Sequence, residues 1–568
     1  MFVVAKDGSG DFTGIQEAID RIPCGYRAPT LLLVRRGEYR ERVVINRDNL
    51  RIVGEDRDAT VIAASACAHD KGPDGREQGT FLTATLLVTG RDVEIENLTI
   101  RNDAGDGSIA GQAVALYAAG DRGVYRNCVL DAHQDTLFCG PVMQKVEAAA
   151  AHRRSGAECV ESVGDCPPTR GRQYFEDCFI RGDIDFIFGP YRCWFERCTL
   201  YMRARGGWYT AANTPQEQPY GMVFHACTLT GECPEGGAYL GRPWRRFART
   251  VFLACEMDGS VAPEGFADWD GERRVTERCG EWRTTGARAN LCTRHASERR
   301  LSDEEAAILT PAEVIGGPDG WQPQRRTPTW FLCGDSTMAD YPPAEYPMTG
   351  WGQKLQALLP AGEFVQNEAV NGRSSLSFIS EGRLEDVGRC LRAGDKLVIG
   401  FGHNDEKPDA ARHTDPEGSY RDCLNRYIDM AEAHGAEPVL VTSIARRHFD
   451  AAGNPVPTHG AYPEAVRRLA GERGVRLIDL ESATMEMLKA AGAEGSREIY
   501  CHVPAGSPNY PEGRADNSHL QEGGAVRIAK LFVEGMDGRQ WTGTTPEAKT
   551  EGDLTELIGR EDDVMKGR

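Results

Sequence analysis

Four separated segments in the first half of this chain carry carboxylates, side-chain amides, a guanidinium and an indole, residue types that can do acid–base and nucleophilic chemistry. They are Gly111-Gln112-Ala113-Val114, Gln134-Asp135-Thr136-Leu137, Gly182-Asp183-Ile184-Asp185-Phe186-Ile187-Phe188-Gly189 and Tyr239-Leu240-Gly241-Arg242-Pro243-Trp244. Asp185 has Ile184 and Phe186-Ile187-Phe188 for neighbours, costly company for a carboxylate unless the charge is paired or put to use. The second half holds a different set: Gly334-Asp335-Ser336-Thr337, Asn371-Gly372-Arg373-Ser374-Ser375, Gly402-His403-Asn404-Asp405 and Asp516-Asn517-Ser518-His519. A serine, a glycine N–H, an asparagine amide and an Asp-x-x-His pair are the parts of serine acyl transfer. Taken singly, each segment has an ordinary reading. Gln-Asp and Gly-Asp-Ser are turn sequences, and Asp185 with Arg242 is a structural ion pair. The members of each set taken together change the odds.

The elements that must position the first set follow from a repeat. Val124, Cys128 and Leu130 recur as Tyr174, Cys178 and Ile180, as Trp194, Cys198 and Leu200, as Val223, Cys227 and Leu229, and as Val251, Cys255 and Met257. The three apolar positions share parity, which on one strand puts them on one face. Between them lie Arg126, Glu176, Glu196, His225 and Leu253. Val93 to Ile100 reads as an earlier copy without the cysteine. Irregular spacing of single-strand copies predicts a parallel β-helix with loops of unequal length, in which sequence-distant clusters meet on one groove. An antiparallel sandwich is the alternative, but hairpin signals are missing. The repeat predicts that Cys128, Cys178, Cys198, Cys227 and Cys255 stack as free, buried thiols.

The repeat fades after about residue 260, and a Pro/Gly-rich stretch ending at Thr327-Pro328 marks a boundary. Beyond it, short apolar strands at Trp330-Phe331-Leu332, Leu397-Val398-Ile399, Val439-Leu440-Val441 and Leu477-Ile478 alternate with helical patterns at 420–433, 462–472 and 524–534. That alternation predicts a parallel sheet with helices on both faces. The expected domains are 1–323, a linker at 324–328, 329–540 and a polar tail at 541–568. Residues 143–170 read as an Ala/Arg/Gly-rich surface insertion.

Composition excludes several classes. With 568 residues, 40% hydrophobic and 27% charged, the chain is long enough for two or three cored domains. A net charge of −19 argues against nucleic acid and anionic membrane as partners. No apolar run reaches spanning length. The eighteen cysteines include no C-x-x-C pair, so zinc-ribbon and thioredoxin-like readings lack support. Most of these cysteines read as buried small hydrophobes in a reducing compartment. If Met1 is the native start, the absence of a signal segment predicts a cytoplasmic protein; a trimmed start leaves secretion open.

Together with the opening Val4-Ala5-Lys6-Asp7-Gly8-Ser9-Gly10-Asp11-Phe12 and Thr80-Phe81-Leu82-Thr83-Ala84-Thr85, the first set resembles the pectin methylesterase family over roughly residues 1 to 323. The resemblance implies a right-handed parallel β-helix and a pectic poly- or oligosaccharide substrate. It makes Asp185 the nucleophile on a galacturonate methyl ester and Asp135 the acid and then base. Arg242 is implied to hold Asp185 ionised, and Gln112 and Gln134 to donate to the oxyanion. Trp244, Phe188 and Arg245 are expected to bind substrate, with Arg203, Arg205 and Arg246 adding local positive charge. The chain departs from the family at Gly182-Asp183-Ile184-Asp185, where relatives often carry Gly-Thr-Val-Asp; the extra carboxylate bears on the pH optimum.

The second set resembles the GDSL/SGNH hydrolases across about residues 328 to 540. Gly372-Arg373-Ser374-Ser375 and Glu381-Gly382-Arg383 look most like rhamnogalacturonan acetylesterases. The resemblance implies an α/β/α flavodoxin-like domain with Ser336 as nucleophile, His519 as base and Asp516 orienting His519. The N–H groups of Ser336 and Gly372 and the amide of Asn404 are the implied oxyanion hole. No G-x-S-x-G elbow surrounds Ser336, which argues against an α/β-hydrolase. The expected function is bifunctional pectin de-esterification, with no metal or organic cofactor required. Alternatives are a second domain acting on xylan acetyl, lipid or thioester substrates, and a first domain that only binds pectin. A lyase or polygalacturonase β-helix is disfavoured by the Gly-Arg-Pro-Trp and Gln-Asp-Thr-Leu motifs.

Overall fold

The computed structural model describes all residues except 27, 73, 143–170, 270–277, 290–291, 296–297, 361 and 539–568. The insertion and the polar tail expected from sequence therefore lie outside the described residues. The chain divides into two compact units, Met1–Arg326 and Thr327–Arg568.

The first unit is a column of coils, each giving one strand to each of three parallel sheets. Among the described residues these have eleven, eight and seven strands. One full turn reads Arg192–Glu196, Thr199–Met202 and Gly207–Ala212. The next reads Met222–His225, Thr228–Gly231 and Ala238–Gly241. Each strand pairs in parallel with its equivalent one coil away, as in Trp194 with Val223 and Leu200 with Leu229. This is the parallel β-helix expected from the repeat.

The repeat itself bends where parity alone runs straight. Val124 to Leu130 is two strands, Gly123–Arg126 and Val129–Asp131, separated by a corner. Asn127 takes φ 47° there, and Asn97, Asp177, Arg197, Ala226 and Ala254 repeat the left-handed corner at φ 50–57°. A left-handed residue turns the chain sharply, so parity does not carry across it. The interior aromatics are consequently one place later than the parity reading gives. Tyr125, Phe175, Phe195, Phe224 and Phe252 are buried and stack at 4.4–4.8 Å with interplanar angles of 8–13°. That spacing matches the ~4.8 Å between paired strands. Val124, Tyr174, Trp194 and Val223 point outward instead, under Ala306, Val314 and Ile315.

The cysteines behave as expected from the repeat. Cys128, Cys178, Cys198, Cys227 and Cys255 are free and buried. Several donate to a carbonyl one coil back, as Cys178 does to Tyr125 at 3.4 Å and Cys255 to Phe224 at 3.5 Å.

The second unit has a five-stranded, fully parallel sheet. In spatial order it runs Phe364–Asn367, Thr329–Gly334, Lys396–Gly400, Glu437–Val441 and Arg476–Ile478, or 2-1-3-4-5 in chain order. This is the flavodoxin-like order, whose ligands sit at the carboxyl ends of the strands. The helices Ser419–Ala433, Tyr462–Arg473 and Glu522–Met536 fall where the patterns placed them. The edge strand Phe364–Asn367 had escaped notice, because its Phe-Val-Gln-Asn sequence is half polar and only half-buried. So had the antiparallel pair Tyr500–Val503 and Arg514–Leu520.

Candidate active sites

In the first unit, Leu116–Ala118, Leu137–Cys139, Ile187–Gly189 and Gly207–Ala212 lie side by side. Leu137 pairs with Ile187, which puts Asp135 and Asp185 at the same place on adjacent coils, two residues before their strands. Both take left-handed backbone, φ 67° and 51°, and both are buried. The turn holding Asp185 is tight: a Cβ on Gly182 would lie 2.3 Å from Phe186 Cβ and 2.7 Å from Thr136 Oγ1. The same edge carries Gln112 and Gln134 on neighbouring coils, since Ala113 N donates to Gln134 O at 3.1 Å and Asp135 N to Ile184 O at 3.1 Å.

Arg242 donates to both oxygens of Asp185, from Nε at 2.9 Å and Nη2 at 2.7 Å. Two indoles clamp its guanidinium, Trp208 at 3.8 Å and Trp269 at 4.1 Å from the ring centres. Burial pushes the Asp135 carboxyl well above its ordinary range, and the nearby charges of Asp185 and Asp183 add to this against Arg242. Burial also raises Asp185, but the hydrogen bonds and charge of Arg242 oppose it. Both carboxyls are thus raised, and the guanidinium bonded to Asp185 leaves it the more readily ionised of the two.

Phe188 and Trp244 meet edge to face at 6.0 Å and extend an outward apolar strip through Phe138 and Tyr117. Arg245 lies over the Trp244 ring at 5.0 Å. Arg203 is committed elsewhere, to Ala132 O at 2.7 Å and Asp131 at 2.5 Å. Sequence reasoning missed Trp208 and Trp269; the one available signal was Trp208 following the glycine pair Gly206-Gly207. It also missed His133, whose Nδ1 bonds the buried Asp183 at 3.0 Å.

In the second unit, three consecutive strands deliver the site from their carboxyl ends. Ser336 follows Thr329–Gly334, Gly372 follows Phe364–Asn367 and Asn404 follows Lys396–Gly400. Ser336, Gly372, Asn404 and His519 line one cavity of about 390 Å³. Buried Asp335 shapes the serine turn by accepting from the N and Oγ1 of Thr337, both at 2.9 Å. Gly372 has φ 77°, which a side chain would strain. Asn404 Nδ2 donates to Arg373 O at 3.1 Å. Arg373 pairs with Glu381 at 3.1 Å and Glu381 with Arg383 at 2.7 Å, so the two quoted motif segments are physically joined.

His519 sits on Arg514–Leu520 with Nε2 2.9 Å from Ser336 Oγ and Nδ1 2.7 Å from Asp516 Oδ2. Asp516 Oδ1 accepts from the N–H groups of Ser518 at 2.8 Å and His519 at 2.9 Å. Burial works to raise the Asp516 carboxyl, yet the bonds from His519 and Arg514 hold it far below the usual range. A permanently ionised carboxylate, an imidazole and a hydroxyl in line can move a proton off the serine. Among the described residues, no cluster of three or more His, Cys, Asp or Glu is placed to hold a metal ion.

Comparison with known proteins divides the chain the same way. The Pectinesterase family model matches residues 1–145 and 168–318, and the GDSL-like Lipase/Acylhydrolase family model matches 332–504. Rhamnogalacturonan acetylesterase RhgT of Bacillus subtilis (strain 168) is 44% identical over 208 residues, covering 36% of this chain and 88% of that protein. Probable pectinesterase/pectinesterase inhibitor 23 of Arabidopsis thaliana is 30% identical over 342 residues, 57% of this chain, and the chain spans only 54% of it. The solved pectin methylesterase PemA of Erwinia chrysanthemi is 30% identical, covers 57% of this chain and 98% of its own, and has a TM-score of 0.46. The chain belongs to the pectinesterase family, and its second half to the GDSL-like lipase/acylhydrolase family, both of them carboxylic ester hydrolases.

Proposed function

We propose that the two sites divide the de-esterification of pectin between them. In the first, ionised Asp185 attacks the carbonyl carbon of a galacturonate methyl ester. Asp135, kept protonated by burial and by its charged neighbour, gives its proton to the departing methanol. The ester acyl group then rests on Asp185 as an anhydride, and Asp135, now a base, takes a proton from the water that hydrolyses it. Gln112 and Gln134 donate to the oxyanion, and Phe188, Trp244 and Arg245 bind the sugar chain. The observation that carries this reading is the bidentate Arg242–Asp185 pair beside a second buried carboxyl that has no such pairing among the described residues.

In the second site, His519 takes the Ser336 proton as Oγ attacks an acetyl ester, and the alkoxide forming on the carbonyl oxygen is met by the N–H groups of Ser336 and Gly372 and by Asn404. The 2.9 Å and 2.7 Å contacts along Ser336, His519 and Asp516 carry that half. The substrate is an O-acetyl ester of rhamnogalacturonan or a related pectin, supported by the 44% identity to RhgT over most of that protein's length. The test is to supply methylated, acetylated pectin and to measure methanol and acetate separately. Release of only one product would remove the reading for the other unit.

A further inference from the structure

Beside the carboxylate pair stands an acid–imidazole couple that takes no direct step in the ester chemistry, although the charge of Asp183 adds to the rise of Asp135. Asp183 is wholly buried, with Oδ2 3.0 Å from His133 Nδ1 and Oδ1 accepting from Ile184 N at 2.7 Å. Asp183 N donates to His133 O at 3.1 Å, so the two residues face each other across adjacent coils, two positions before Asp135 and Asp185. A carboxylate only accepts, so its partner Nδ1 carries a proton, and in the neutral imidazole the lone pair is left on Nε2. The His133 side chain is 24% exposed against 1% for Asp183, so the ring reaches solvent where its partner does not.

Among the described residues, no protein group bonds that nitrogen. The nearby cations are occupied: Arg203 by Ala132 O and Asp131, Arg205 by Asp106 at 3.5 Å. Asp106 itself caps the turn Gly107–Ala110, which packs against Gln134. A buried charge that fixes the tautomer of a ring reaching solvent is expensive, and the arrangement suits recognition of a donor on a ligand.

We propose that His133 Nε2 accepts a hydrogen bond from a sugar hydroxyl of the chain bound over Asp135 and Asp185, so that the first site takes that sugar unacetylated. An O-acetyl group has no O–H to donate and brings added bulk to the same place. A site built around a substrate hydroxyl discriminates against the analogue that lacks it, because its own polar group is left unpaired. The order of reactions follows. At a doubly esterified unit, an acetyl-ester hydrolysis must precede methyl-ester hydrolysis, and the second half of the same chain supplies that class of reaction. The inference rests on the methylesterase reading above.

The test uses the full chain carrying Ser336→Ala, so that acetyl groups persist during the assay. Methanol release is measured on methylated oligogalacturonides with and without O-acetylation, and the ratio of the two kcat/KM values is read. The parent should favour the non-acetylated substrate. His133→Phe, which keeps a ring but no acceptor, should shrink that ratio roughly tenfold. Asp183→Asn should shrink it too, since the amide no longer fixes the proton on Nδ1. If the phenylalanine variant does not fold, His133→Gln reads the same ratio. A ratio within about twofold of the parent in the histidine and aspartate variants would overturn the proposal. Absence of methanol from the parent on the non-acetylated substrate would instead remove the methylesterase reading beneath it.

Discussion

Replacing Arg242 by lysine keeps the positive charge but removes the fork. Two N–H···O bonds to Asp185, at 2.9 and 2.7 Å, become one, and the planar group held between Trp208 and Trp269 becomes a rounded ammonium. One charge-assisted bond contributes about 1.5–3 kcal/mol. If the bond acts on the nucleophile in the transition state, its loss lowers kcat/KM for methanol release by roughly 10- to 150-fold. The sign of the pH effect also follows. Asp185 acts ionised; burial raises its pKa and Arg242 opposes that rise. With fewer bonds the opposition weakens, the folded pKa moves further up, and the acid limb of kcat/KM shifts to higher pH. The deficit of Arg242→Lys is therefore largest in acid and narrows as pH rises. Methanol release followed from acidic to mildly alkaline pH, with folding checked by circular dichroism, measures both quantities. A deficit that is uniform with pH would refute the assignment of Arg242 to the ionisation of Asp185.

Three further outcomes are expected. Asp185→Ala removes methanol release and leaves acetate release, while Ser336→Ala does the reverse on non-acetylated and non-methylated test esters; loss of a nucleophile amounts to several orders of magnitude, so cross-inactivation would be plain. Asp516→Asn lowers acetate release about 10⁴-fold, because the neutral amide no longer holds the His519 tautomer, and an effect under tenfold would argue against the triad. Phe195→Ala opens the aromatic stack and destabilises the first unit by about 3–5 kcal/mol in denaturant titration; a change below 1 kcal/mol would mean that the stack is loosely packed.

The site residues were legible because chemistry restricts residue type. Asp185 stands out for its apolar neighbours, and Asp135 and Arg242 join it through motifs that resemble a known family; Ser336, His519 and Asp516 bond in the arrangement that the second resemblance implies. The cysteine register was legible for the same reason, since one small apolar residue recurs at one place. The corner before each cysteine was not. It is filled by Asn127 and Asp177 but also by Arg197, Ala226 and Ala254, and by Asn97 before Leu98 in the copy without a cysteine, so no residue type announces it. A left-handed arginine or alanine is held there by the strands on either side, a tertiary constraint that local preference does not carry. Trp208 and Trp269 escaped because an indole against an arginine becomes visible only once distant coils are stacked. His133 escaped because its partner lies fifty residues away.

Within its three sheets each coil of the first unit pairs only with the one before and the one after, while the segment holding Ala306, Val314 and Ile315 packs outside several of them. Asp135, Asp185 and Arg242 come from turns in its interior. Phe2–Val4 and Thr30–Val34 lie at one end of the largest sheet, and Gly280–Trp282 and Arg299–Arg300 at the other. A one-dimensional stack frays from its tips, where a coil has lost one of its two neighbours. The outer turns are therefore the ones expected to open first, while the carboxylates keep a paired coil above and below them. Shortening the column from either end removes that margin long before it reaches a residue that performs chemistry.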